Sequence, residues 1–88
     1  MYLHIGASVV IPEQDVLGIF DLDNTTSSRS TRNFLAQAQQ AGQVIPVGED
    51  LPKSFLLCRD KGGKVKVYLS QLSTATLLKR MELGSLTI

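Results

Sequence analysis

The stretch from Leu51 to Ser70, LPKSFLLCRDKGGKVKVYLS, carries the hydrophobic pattern of a β-hairpin. Two β-favouring runs flank Gly62-Gly63, and glycine supplies the positive φ angles that tight hairpin turns require. On the second run Val65, Val67 and Leu69 alternate with Lys64, Lys66 and Tyr68, which predicts one apolar and one basic face. The first run is different: Phe55, Leu56, Leu57 and Cys58 put apolar groups on both faces. A strand apolar on both sides needs cover on both sides, from a helix, another sheet or another subunit.

Residues 2–5 and 8–12 read as two short strands bent around Gly6. A third strand is predicted over Asp15 to Leu22, with Val16, Phe20 and Leu22 on one face and Leu17 and Ile19 on the other. Gly18, in mid-strand, marks a close approach of backbone or side chain. Phe34, Leu35, Ala38 and Ala41 then recur at helical spacing, predicting a helix near 28–41 capped by Ser27 or Ser28 and stopped by Gly42. Val44 to Val47 is a short extended piece broken by Pro46, followed by a turn at Gly48-Glu49-Asp50. Ser73 caps a last helix predicted over 74–81, with Leu77, Leu78 and Met81 on its buried side. The domain is expected to span 1–82, with 83–88 a loose tail whose Leu83, Leu86 and Ile88 are available to a neighbour. The order βββ-α-β-ββ-α defines an α+β fold: a small single domain, a mainly antiparallel sheet and two helices. Those helices lie too far apart in the chain for a helix-turn-helix.

Composition bears on assembly. A chain of 88 residues buries only roughly 60–65% of its unfolded surface, which leaves a thin stability margin. Its one cysteine, Cys58, allows no internal disulfide, and no Cys/His cluster offers zinc ligands, so oligomerisation is the remedy left open. His4 has no second His or Cys near it and reads as a structural histidine. With neither a signal-like N-terminus nor an apolar run of membrane-spanning length, the expected compartment is the cytoplasm. Charge segregates along the chain. Residues 1–52 hold six acids and two bases, while residues 53–88 hold seven bases and two acids. Such asymmetry suits either a polyanion or head-to-tail contacts between copies. For a polyanion such as duplex DNA, the candidate residues are Lys61, Lys64 and Lys66, with Lys53 and Arg59 beside them. Burial of those lysines against a neighbour's Asp21, Asp23 or Glu49 would instead give them a structural role.

Ile19 to Thr25 spells IFDLDNT, which resembles the first motif of the haloacid-dehalogenase-like phosphatases. That resemblance makes Asp21 a nucleophile and Asp23 a general acid with Mg²⁺ between them. It covers seven residues, and beyond position 60 the only acid is Glu82, too few for the downstream metal ligands this chemistry needs. The expected reading is a strand end followed by a polar turn, with no catalytic residue, no metal and no cofactor.

A second set of strings runs through the chain in order: HIG, IFDLDNTT, STRNFLAQAQQAG, LPKSFLL and VYLSQLSTATLLKR. Together they resemble the bacterial extracellular-matrix (biofilm) regulator family, the RemA/RemB group, and the RemB-type branch in particular. One departure is Gln71, where that branch is expected to carry proline. The resemblance implies a cytoplasmic ring of identical subunits with a LytTR-like fold. RemA-like members activate transcription by binding DNA through loop arginines. At the corresponding positions this chain has Asp15, Glu49 and Asp50, three acids that repel phosphate. The leading expectation is therefore a non-enzymatic regulatory protein acting as a homo-oligomeric ring with weak or no direct DNA binding, and no small-molecule substrate or membrane partner. The alternative is a DNA-binding transcriptional regulator that uses the basic hairpin.

Overall fold

The computed structural model describes residues 1–22 and 28–86, with side chains up to Met81. Strands β1 (Tyr2–Gly6) and β2 (Val9–Pro12) form an antiparallel ribbon, and a single 3-10 turn at Glu13–Asp15 leads into β3 (Val16–Asp21). Helix α1 (Arg29–Gln40), β4 (Val44–Pro46), β5 (Ser54–Arg59), β6 (Val65–Ser70) and helix α2 (Thr74–Leu86) complete the order. The strands divide into two sheets, the β1-β2 ribbon and a four-stranded sheet of order β3-β5-β6-β4. The expected α+β domain with two helices is observed, although β4 runs parallel to β6 and makes the larger sheet mixed. Helix α2 continues past position 81 to Leu86, into the segment read as a loose tail.

The doubly apolar strand β5 lies inside the sheet, hydrogen-bonded to β3 and to β6. Its alternate side chains feed two separate cores. Leu56 and Cys58 join Leu3, Ile5, Ile11, Val47 and Leu77, so the ribbon and α2 cover one face. Phe55 and Leu57 join Leu22, Ala38 and Val67 under α1 on the other. There Phe55 is stacked between Phe20, with centroids 4.8 Å apart, and Phe34, at 6.2 Å. The cover on both faces comes from within the chain.

Two of the expected strand faces change. A bulge in β3 between Val16 and Gly18 inserts Leu17 as an extra residue. Val16 and Ile19 consequently share the first core, and Leu17 is left 62% exposed. The Phe20 ring lies over Gly18, where an added Cβ would come within 2.7 Å of it, so the glycine does mark a close approach. On β6, Tyr68 packs against the first core, so the face read as basic and open is partly covered.

Termination signals behave as local chemistry dictates. Helix α1 closes on Gly42 (φ +72), with Gly42 N–H donating to Gln39 O at 3.0 Å and Gln43 N–H to Ala38 O at 2.9 Å, a Schellman pair. Ser28 stands at its N-cap position with no side-chain cap bond; Ser27 lies outside the described residues. Ser73 Oγ accepts from Thr76 N–H at 3.2 Å and caps α2. In the hairpin turn only Gly63 has positive φ (+83), and the turn is held by Gly63 N–H to Asp60 O (2.9 Å) and Lys64 N–H to Asp60 Oδ1 (2.9 Å).

Two serines tie the layers together. Ser54 and Ser70, paired across β5 and β6, are both fully buried. Ser70 Oγ donates to Ile5 O and Ser54 Oγ to Leu72 O, each at 2.7 Å. Both bonds are buried or partly so and bridge the sheet to the ribbon and to the lead-in of α2, which satisfies each hydroxyl.

Candidate functional site

The sheet has two chemically distinct ends. At the hairpin end Arg59, Lys61 and Lys64 are exposed, and Lys66 is half-buried with its Nζ 3.8 Å from Asp60 Oδ2. Asp15 belongs to the same end, because the adjoining Val16 pairs with Cys58. Lys53 does not join this cluster. It precedes β5 at the opposite end, a six-residue strand away, roughly 20 Å. The five basic candidates thus divide into four and one.

The opposite end carries Glu49, Asp50 and Leu51, all exposed. Strand β4 delivers the chain there, and Gly48 turns it with φ +86. The Gln71 side chain then holds the loop. In the amide orientation that satisfies both atoms, its oxygen accepts from Glu49 N–H at 2.8 Å and Asp50 N–H at 2.7 Å. Gln71 comes close enough that a Cβ on Gly48 would collide with it. Gln71 therefore has a definite structural part. No local signal in the sequence ties position 71 to positions 49 and 50.

The three acids Asp15, Glu49 and Asp50 are also divided, Asp15 at one end and Glu49 and Asp50 at the other. Asp21, at the end of β3, pairs with Ser54 in the sheet register. Asp23, the second half of the phosphatase-like motif, lies outside the described residues. Among the described residues no group of three or more His, Cys, Asp or Glu is placed to hold a metal. His4 is exposed on the ribbon, where its carbonyl accepts from Arg80 Nη1 at 3.1 Å. No helix among the described residues is long and apolar enough to cross a membrane.

Cys58 is a buried thiol held in its protonated form. Burial, reinforced by the charge of Asp15 and only partly offset by Lys66, pushes its thiol up to about 11 from an ordinary 9.0. The folded chain holds this proton more tightly than the unfolded chain does. Its contribution to stability is therefore whole below pH 9 and is lost as pH rises toward 11. At pH 8 an aromatic disulfide reagent is expected to modify native Cys58 at least ~10-fold more slowly than the urea-unfolded chain, because the thiolate is the reactive species. Equal rates would mean the thiol is open to solvent.

Between α1 and the 51–53 segment lies a groove of about 610 Å³, lined by Leu22, Leu35, Val44, Leu51 and Leu69 among others. It adjoins the acidic loop directly and is apolar apart from Gln39 and Lys53. Among the described residues the candidate contact surfaces are two charged ends and an apolar groove. The model of the RemA-like family, described as extracellular matrix regulatory protein A-like, matches residues 2–81. The extracellular matrix regulatory protein B of Bacillus subtilis (strain 168) is 33% identical over 82 residues, covering 93% of this chain and 91% of its own. The chain belongs to the RemA-like family of extracellular matrix regulatory proteins, on the side of its B-type members.

Proposed function

We propose that the chain is a non-enzymatic bacterial regulator of extracellular-matrix or biofilm genes that works in the cytoplasm as a homo-oligomeric ring and binds duplex DNA weakly or not at all. The LytTR-like fold implied by the resemblance is part of the same reading. The observation that carries it is the pairing of family membership with acids at Asp15, Glu49 and Asp50, where phosphate contacts would call for bases. Segregation of opposite charges to the two ends of the sheet supports assembly by unlike faces. A second reading, transcriptional regulation through direct DNA contact, draws on Arg59, Lys61 and Lys64, which share one exposed tip. Half-burial and the Asp60 ion pair of Lys66 weaken that reading.

Assembly is the direct test. Light scattering in moderate salt is expected to report a mass several times the 9.6 kDa of one chain. A monomer at micromolar concentration would overturn the reading.

A further inference from the structure

We infer that the depression where β1 meets α2, lined by Tyr2, His4 and Arg80, is a binding site for one small phosphorylated ligand that carries a flat ring, of the class of a nucleoside monophosphate.

The strand period builds the site. Leu3 and Ile5 are buried in the core, so Tyr2 and His4 occupy the opposite, exposed face of β1. Two positions along a strand span about 7 Å, close enough for one small ligand to touch both side chains. Arg80 reaches the same place from α2, with Nη1 donating to His4 O at 3.1 Å. That bond fixes the guanidinium against the strand and leaves its other donors to the depression. The depression holds about 470 Å³, a size suited to a small ligand. His4 and Arg80 stand 76 positions apart, so no sequence motif announces the site.

The side chains identify the ligand. A guanidinium fork and an imidazole, brought from two different elements, suit the several oxygens of a phosphate. The Tyr2 ring, 70% exposed, offers a face on which a base can stack. Neither the Tyr2 hydroxyl nor the His4 ring has a partner among the described residues, so the chemistry of both is unspent on the fold. No Asp or Glu among the described residues lines the depression. Lys79, next to Arg80, is exposed and adds positive charge, while the half-buried Glu13 follows Pro12, the partner of Tyr2, outside the lining.

The same inventory favours a free nucleotide over nucleic acid. One guanidinium and one imidazole meet one phosphate, whereas duplex binding commonly draws on roughly six to ten phosphate contacts. The site uses none of the hairpin bases and nothing of the 49–51 loop.

Calorimetric titration of the intact chain tests this, with AMP, adenosine and inorganic phosphate as the probes. AMP should bind at least ~10-fold more tightly than either of its halves, because base and phosphate are held together. Tyr2→Ala should weaken AMP at least ~5-fold and leave phosphate unchanged, since it removes only the stacking face. His4→Ala and Arg80→Lys should weaken AMP and phosphate alike, the second because an ammonium keeps the charge and loses the fork. Tyr2 and His4 are exposed, so their variants should keep the unmodified melting curve and carry the test even if Arg80→Lys loosens α2. No heat with millimolar AMP, AMP no tighter than phosphate, or variants that spare AMP would overturn the assignment. A single-stranded oligonucleotide without a terminal phosphate that bound more tightly than AMP, and lost affinity in the same three variants, would replace it with a nucleic-acid contact.

Discussion

Leu56→Ala should remove a large share of the folding stability. Leu56 is fully buried in the interior strand β5, in a core contributed by the ribbon, β3, β6 and α2. Truncating a buried leucine costs about 2–5 kcal/mol, the lost transfer energy plus the cavity left behind. Total stability at about 0.05–0.15 kcal/mol per residue comes to roughly 4–13 kcal/mol for a chain of this length. One substitution therefore takes between a sizeable fraction and nearly all of it. Leu78→Ala is the matched control, because Leu78 is 50% exposed on α2 and should cost much less. Urea midpoints at one fixed protein concentration provide the comparison, since assembly would make stability concentration-dependent. Equal costs for the two leucines would show that Leu56 is not at the centre of the core.

Duplex DNA should bind weakly, and with a shallow dependence on salt. Each phosphate neutralised releases condensed counterions and adds about −0.9 to the slope of log affinity against log salt. Asp15, Glu49 and Asp50 oppose such contacts, and Lys66 is engaged by Asp60, which leaves Arg59, Lys61 and Lys64 at the hairpin end. Asp15→Arg isolates the effect, because it reverses charge beside those bases and leaves the Glu49–Asp50 loop intact. It should raise affinity at low salt and steepen the slope by up to about 0.9 for each added phosphate contact. Fluorescence anisotropy with a labelled duplex, across a salt series, gives both quantities. Tight, sequence-selective binding by the unmodified chain would show that the acids lie away from the DNA surface and that direct DNA recognition is the function.

Much of the architecture was legible where the cause is local. The hairpin, the Gly42 helix stop, the Ser73 cap and the close approach at Gly18 each follow from a glycine's freedom or a hydroxyl within reach of nearby backbone. The double apolar pattern of β5 announced cover on both faces, and the charge asymmetry announced two unlike surfaces. For the candidate site, the residue types were readable and their grouping was not. Lys53 lies a strand's length from the other bases, and Asp15 from Glu49 and Asp50.

The sequence by itself determined what alternation, capping and composition encode within a few residues of each other: the elements, their order and their charge. Tertiary structure decided the rest. The Leu17 bulge moves Val16 to the other face of β3, because strand period is two and one inserted residue inverts everything beyond it. Parallel pairing of β4 with β6 depends on the path taken through α1. The buried Ser54 and Ser70 bonds and the Gln71 clamp join groups distant in sequence, Ser70 to Ile5 across 65 positions. Such bonds leave no periodicity to read, because a polar side chain looks the same in sequence whether its partner is water or a backbone group from the far end of the chain.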